Sequence, residues 1–311
     1  MIRSVWGAVE RGSLHVTHTR GPVVFRWCAG VAVLLEYLLN YQQRAFLFGI
    51  DAFMPIGAVE ATPPLDMYAN LGSPWQFELL FHAGLALAFL WTIGWRTHLT
   101  TPLNLLFWAS LRARNSTVWG GGDAFLQLAM FYLCFANVAA CGAWHVRRPP
   151  RGVLAVLHNA SVFLCIFQLC VVYIMAGTWK LQGTTWPTGT ALYYATRTGE
   201  FHFPGVSELL YKDPSLSTIM CYGTILFQVG FPFLVFLNEK TRILAASMGV
   251  VFHLGIATAM GLTTFAAILI GADLMILGDA EYVRIESWLS RFRGWCRGLV
   301  FKPAKGLENP R

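Results

Sequence analysis

The feature that most constrains this chain is a series of uninterrupted apolar runs, 15 to 25 residues long, recurring from Pro22 to Asp279. "ASVFLCIFQLCVVYIMAGTW", residues 160–179, is typical: it carries no formal charge, and about 20 such residues cross a bilayer as a helix. Only 13% of the chain is charged, against about 25% in an ordinary soluble domain. The main solvent is therefore lipid, and the fold class is all-α, a polytopic helical membrane protein. The runs are continuous rather than alternating, which argues against a membrane β-barrel.

Eight runs read as spans, at about 23–40, 75–94, 99–111, 123–140, 157–180, 215–237, 241–260 and 264–279; the third and eighth are short. Trp75, Trp91, Trp95, Trp108, Trp119, Trp144, Trp179 and Trp186 lie near run ends, where interfacial aromatics are expected. Eight spans put both termini on one side. That side collects 17 Lys and Arg and the other 6, so both termini are expected in the cytoplasm. The net charge of +7 reflects this flanking placement and does not call for nucleic acid. The first run begins near Pro22 with no small-residue cleavage site after it, so it reads as an anchor in a multi-pass cell-membrane protein. Residues 1–280 form the transmembrane domain. In 281–311, Ile285, Trp288, Phe292, Trp295 and Leu299 make one face with Arg284, Arg291 and Arg293 off it, a basic amphipathic tail expected to lie on the inner leaflet. None of the seven cysteines forms a C-x-x-C pair and most lie in apolar runs, which gives thiol redox chemistry little support and suggests no metal site.

Ionisable residues within the runs are the candidates for function: Glu36, Glu78, His82, Lys180, His253 and Asp273. Glu78 and His82 are four apart and share a helix face. His82, His253 and Lys180 all fall toward the outer ends of their runs, beside the outer loop "RARNSTVWGGGD" with Arg112, Arg114, Asn115 and Asp123. Glu36 and Asp273 fall away from this layer. Interhelical hydrogen bonding is the plain alternative for each buried polar group, helix capping for Asp123, snorkelling for Lys180 and surface solvation for Arg112 and Arg114. In "YIMAGTWKLQG", Cys170, Tyr173, Gly177 and Lys180 follow one helical stripe, so Gly177 is expected to open room for a neighbouring helix or a flat ligand. A partly dehydrated amine there has the character of a general base.

The segment "VYIMAGTWKLQGTTWPTGTALYY" resembles the membrane signature of the vitamin K-dependent gamma-carboxylase superfamily, whose bacterial relatives carry HTTM domains. Tyr173, Ala176, Gly177, Lys180, Leu181, Trp186 and Gly189 match it in order, and "RARNSTVWGGGD" and "FHLGIATAMGLTTF" are similar to two further segments. "TGTALYY" and "GGGD" look most like the branch that contains the integral-membrane B component of sporulation-delaying-toxin maturation. The resemblance implies a membrane factor that matures a secreted, antimicrobial peptide with an accessory maturation protein. It also implies a reaction at the outer membrane face linked to reduced vitamin K or menaquinol, with Lys180 as base and His253, His82 and Glu78 in support. Tyr173, Gly177, Trp179, Trp186, Arg112, Arg114, Asn115 and Asp123 would then hold quinone or peptide. The chain departs from the family pattern in having Trp179 beside Lys180 rather than a lysine pair, and Ser116 where the family has histidine. The luminal domain that grips propeptides in the carboxylases has no counterpart, so carboxylation of glutamate does not carry over. A scaffold that presents the precursor to another enzyme or exporter is the alternative, and a transporter the third.

Overall fold

A computed structural model describes residues 14–54, 67–118 and 120–300; the side chains of Ser116, Glu200 and 292–300 are outside the described set. Residues 55–66, between the first two apolar runs, and the expectations for Trp119 and for the tail side chains Phe292, Arg293, Trp295 and Leu299 therefore lie outside the described residues.

Every described regular element is helical. In chain order these are α1 (Gly21–Leu39), α2 (Arg44–Phe48), α3 (Pro74–Thr92), α4 (Thr97–Arg114), α5 (Gly121–Leu133) and α6 (Val153–Gln182). After them come α7 (Ala191–Ala195), α8 (Ser207–Lys212), α9 (Pro214–Leu237), α10 (Glu239–Met260), α11 (Thr263–Met275) and α12 (Asp279–Val300). Each of the eight apolar runs thus lies on a helix. Four of them, α1, α6, α9 and α10, are long and apolar enough to cross a membrane, and α11 with Asp279–Arg291 makes a fifth candidate bent by 105°. Gln76, Glu78 and His82 dilute α3, and three threonines, an asparagine and two arginines dilute α4.

The helix ends follow from local sequence. Asp213 accepts from the Ser215 and Leu216 amides at 2.8 and 3.2 Å and starts α9, with Pro214 at its first turn. Asn238 does the same for α10 through the Thr241 amide at 3.0 Å, and Gly261, at φ +72°, stops it. The fourth run is shorter than expected: α5 ends at Leu133 rather than 140. Asn137 turns back on the Ala139 amide, and Gly142 has a positive φ of 49°.

Helix α1 is the hub, packing on α11 and α3 through the buried stripe Phe25, Ala29, Ala32, Val33 and Tyr37. Small residues let these backbones approach, as lipid-embedded helices require: a Cβ at Gly271 would come 2.7 Å from that of Cys28. At the end of the bundle where α1 begins, Arg26 is fully buried and its guanidinium donates to the carbonyls of Val138, Trp91, Thr92 and Gly142. That charge is a clamp on the 134–152 segment rather than a surface topogenic residue. Two tryptophans are also corrected. Trp91 and Trp108 are buried rather than interfacial, with Trp91 Nε1 donating to Thr101 at 3.0 Å. Trp75, Trp144 and Trp179 are exposed, as membrane-surface aromatics should be.

Candidate functional site

The ionisable residues singled out in the apolar runs separate into three sets and one isolated amine. The most deeply buried set joins α6, α10 and α11. His253 Nδ1 lies 2.8 Å from Asp273 Oδ2 and 3.0 Å from the Gly249 carbonyl, while the Tyr173 hydroxyl donates to Asp273 Oδ1 at 3.0 Å. All three side chains are buried. Both neighbours of Nδ1 are acceptors, so this nitrogen carries a proton and Nε2 is the acceptor of the neutral ring. Gly249 makes the approach possible, since a Cβ there would sit 2.5 Å from the Asp273 carboxyl. The surround is aromatic: Phe231 stacks on Tyr173 at 3.8 Å, and Phe252 and Phe265 flank His253 at 5.2 and 5.9 Å between ring centroids. By helical rise, Tyr173, His253 and Asp273 lie about 10–15 Å below the nearer ends of Gln182, Met260 and Thr263. Asp273 was expected away from the site; it is instead the group that orients the imidazole.

The second set brings α1, α4 and α5 together. Buried Arg112 contacts Asp123 at 2.9 Å and Glu36 at 3.4 Å, donates to the Val118 carbonyl at 3.0 Å, and lies over the Trp108 ring at 4.2 Å. Asp123 also accepts from the Gly120 amide at 2.8 Å, so it caps α5 and pairs with Arg112 at once. Glu36 is therefore a partner of this set, not an outlier. Phe265 lies between the two buried sets: besides flanking His253, it would be 3.1 Å from a Cβ at Gly122, next to Asp123.

Glu78 and His82 form a third, half-exposed set. Arg44 donates to Glu78 at 2.9 Å, His82 Nδ1 is 3.5 Å from the same carboxylate, and His82 Nε2 is 3.0 Å from the Tyr41 hydroxyl. Among the described residues, no hydrogen bond or ion pair links this set to His253. Arg44 stands outside the spans, and its hydrogen bond to Glu78 raises its pKa further above the ordinary guanidinium value. Arg114 and Asn115 are structural: they hold the segment after α1 through the carbonyls of Met54, Gly49 and Leu47 at 2.7, 2.5 and 3.0 Å.

Lys180 is half-buried. Its ammonium donates to the Ala176 carbonyl at 3.3 Å and sits 4.8 Å from the centre of the Trp186 ring, with no ion pair among the described residues. Trp179 points away and is exposed. The room expected beside Gly177 is filled by α9, because a Cβ there would meet Val229 at 2.8 Å and Gln228 at 3.1 Å. Of the two alternatives for that glycine, the neighbouring helix is the one observed.

This arrangement defines a class: a multi-pass helical membrane protein that keeps an aspartate-oriented histidine in its interior. The chain belongs to the HTTM family, whose domain model matches residues 23–278. It is similar to the uncharacterized protein YitO of Bacillus subtilis, 27% identical over 217 residues, covering 66% of this chain and 70% of YitO. It is also similar to the sporulation-delaying protein SdpB of the same organism, 22% identical over 275 residues, covering 86% of this chain and 84% of SdpB. No solved structure matches the chain.

Proposed function

We propose that this protein is an integral-membrane maturation factor for a secreted peptide, acting on the precursor where it emerges at the outer membrane face. The similarity to SdpB along most of both chains supports a role of this kind. The observation that carries a chemical role is the buried His253–Asp273–Tyr173 set. Burying a carboxylate and an imidazole is costly in a membrane, and the orientation they adopt, with Nδ1 held by the acid and Nε2 left as acceptor, is the one a proton-abstracting histidine needs.

Two groups compete for the role of base. Lys180 is the one the family resemblance implies, and among the described residues its polar partners are a carbonyl and an indole face. His253 has an orienting carboxylate, so the geometry favours His253 with Lys180 at the outer rim. Reduced vitamin K or menaquinol is the co-reactant the resemblance proposes. The room beside Gly177, expected to take either a neighbouring helix or a flat ring, is filled by α9, so a quinol does not fit at that position. The second reading, a scaffold that presents the precursor to a separate enzyme, is favoured by the isolation of Lys180.

Comparing the secreted peptides of the native cells with those of cells lacking this chain tests the proposal. A peptide species that disappears on deletion and returns, with the same mass, on complementation is the expected result. An unchanged set of secreted peptides defeats both readings. A mass difference between precursor and product segment that persists without the chain leaves only the scaffold.

A further inference from the structure

A groove of about 750 Å³ runs between α9 and α10 on the face away from α6. Its wall is almost wholly apolar, built from Leu216, Ile219, Met220, Met248, Val251 and Ile256, with α7 and α8 overhanging one end through Leu192, Leu209 and Leu210. Along α9 it extends from Leu216 to Phe227 and along α10 from Ser247 to Met260. These stretches are about 16 and 20 Å long at the helical rise, close to the half-thickness of about 15 Å of a hydrocarbon core.

Two glycines face this space. Gly223 and Gly255 line the groove from opposite helices, and a Cβ on either would meet nothing within 4 Å. Glycine is the poorest helix former after proline, and at Gly249, Gly271 and Gly177 its use is explained by a close protein neighbour. At Gly223 and Gly255 no protein atom gives that explanation, so the room is kept for something else. At the overhung end, Thr196 lines the groove and Arg197 follows it, lying over the Tyr193 and Tyr211 rings at 4.8 and 5.7 Å with no ion pair among the described side chains. His202 hydrogen-bonds the Thr196 carbonyl at 3.1 Å. The rim therefore carries the Arg197 guanidinium, which also donates to the Tyr193 hydroxyl, beside the Glu208–Lys212 ion pair of α8, and the interior is apolar.

We infer that this groove holds the acyl chain of one anionic phospholipid from the leaflet on the Arg197 side, with the phosphate met at the rim by Arg197. A flexible tail bends beneath the α7–α8 overhang, which blocks a rigid transmembrane helix from continuing along the same axis. The inner wall gives the lipid a bearing on the buried set. Phe227 and Phe252 both line the groove, and their rings lie 5.3 Å from Tyr173 and 5.2 Å from His253.

The test is native mass spectrometry and lipid extraction of the protein, purified in mild detergent from membranes and again after reconstitution into nanodiscs of phosphatidylglycerol and phosphatidylethanolamine. One phosphatidylglycerol per chain is expected to survive purification. The double variant Gly223→Leu and Gly255→Leu fills the groove from positions where a Cβ meets no protein atom within 4 Å and is expected to lower retention by roughly tenfold, with helix content unchanged. Arg197→Gln is expected to remove the preference for the anionic lipid while leaving chain binding. Equal retention in the filled variant, no bound lipid in the wild type, or a copurified peptide released by the filling substitutions would each overturn the inference.

Discussion

At the residue scale, the buried set depends on two helices approaching within the reach of a hydrogen, and Gly249 sets that distance. Gly249→Ala forces the Asp273 carboxyl to shift and is expected to cost about 1–3 kcal/mol. The same change at Gly255, which has no neighbour within 4 Å, is expected to be neutral or to gain up to about 1 kcal/mol. Thermal unfolding of the two purified variants separates them; equal melting temperatures would contradict the packing described. His253 and Tyr173 were legible in the sequence as polar members of apolar runs, whereas Asp273 and Glu36 were not placed with their partners. A signal for Asp273 was present. Helices α10 and α11 are joined by Gly261 and Leu262 alone, so residues equally far from that turn face each other, and His253 then falls within about a turn of Asp273. No such short-range arithmetic joins Glu36 to Arg112, because the loop between α2 and α3 separates them in sequence.

At the element scale, the sequence marked every long helix but misjudged where two of them end. Gly177 takes a neighbouring helix, one of the two occupants expected there. The fourth stops early because Asn137 satisfies its own local backbone, and the eighth ends at Met275 and turns sharply into α12. That turn is held by Asp279, which accepts from the Thr19 and Arg20 amides at 2.9 Å, while its own amide donates to Thr17 at 2.9 Å. Arg20 also pairs with Glu286 at 2.7 Å. Residues 15–20 are thereby strapped to the start of α12, next to His18. Burial, reinforced by Arg242 and opposed by Asp279, lowers the pKa of His18 below its ordinary value of about 6.5. A histidine kept neutral by folding stabilises above the unfolded pKa, and that contribution declines as pH falls below about 6.5 toward the folded value. The hydrogen-exchange protection factors of residues 15–20, corrected for the intrinsic pH dependence of amide exchange, are therefore expected to fall between pH 7 and 5 while α1 stays protected. Asp279→Ala is expected to produce the same loss of protection at pH 7. Exchange that is independent of both changes would show that the strap is not held this way.

At the scale of the whole molecule, the contacts sort the helix ends into two layers. Thr19, Arg26, Asn137, His158 and Asp279 meet at one, while Glu36, Arg112, Asp123 and the 182–214 segment belong to the other. The excess of basic residues on the first layer supports a cytoplasmic placement of the termini. Exposed Cys141 lies in that layer, so a membrane-impermeant maleimide is expected to label it only in opened membranes, and to label a Thr184→Cys variant in intact cells. The reversed pattern would invert the topology and move the proposed site to the cytoplasmic side. The membrane character of the fold was legible because lipid imposes it on every run. The site was legible only as a set of polar residue types, since which of them meet is decided by helix packing.

The most direct measurement is the yield of mature secreted peptide, by mass spectrometry, from cells carrying either His253→Gln or Lys180→Arg in place of the wild-type chain, with both proteins present in membranes at equal amounts. A loss on the order of 100-fold or more is expected for His253→Gln, and a yield within about threefold of wild type for Lys180→Arg. Full yield from His253→Gln would contradict the assignment of His253 as base, and a loss confined to Lys180→Arg would return the role of base to the amine at the rim.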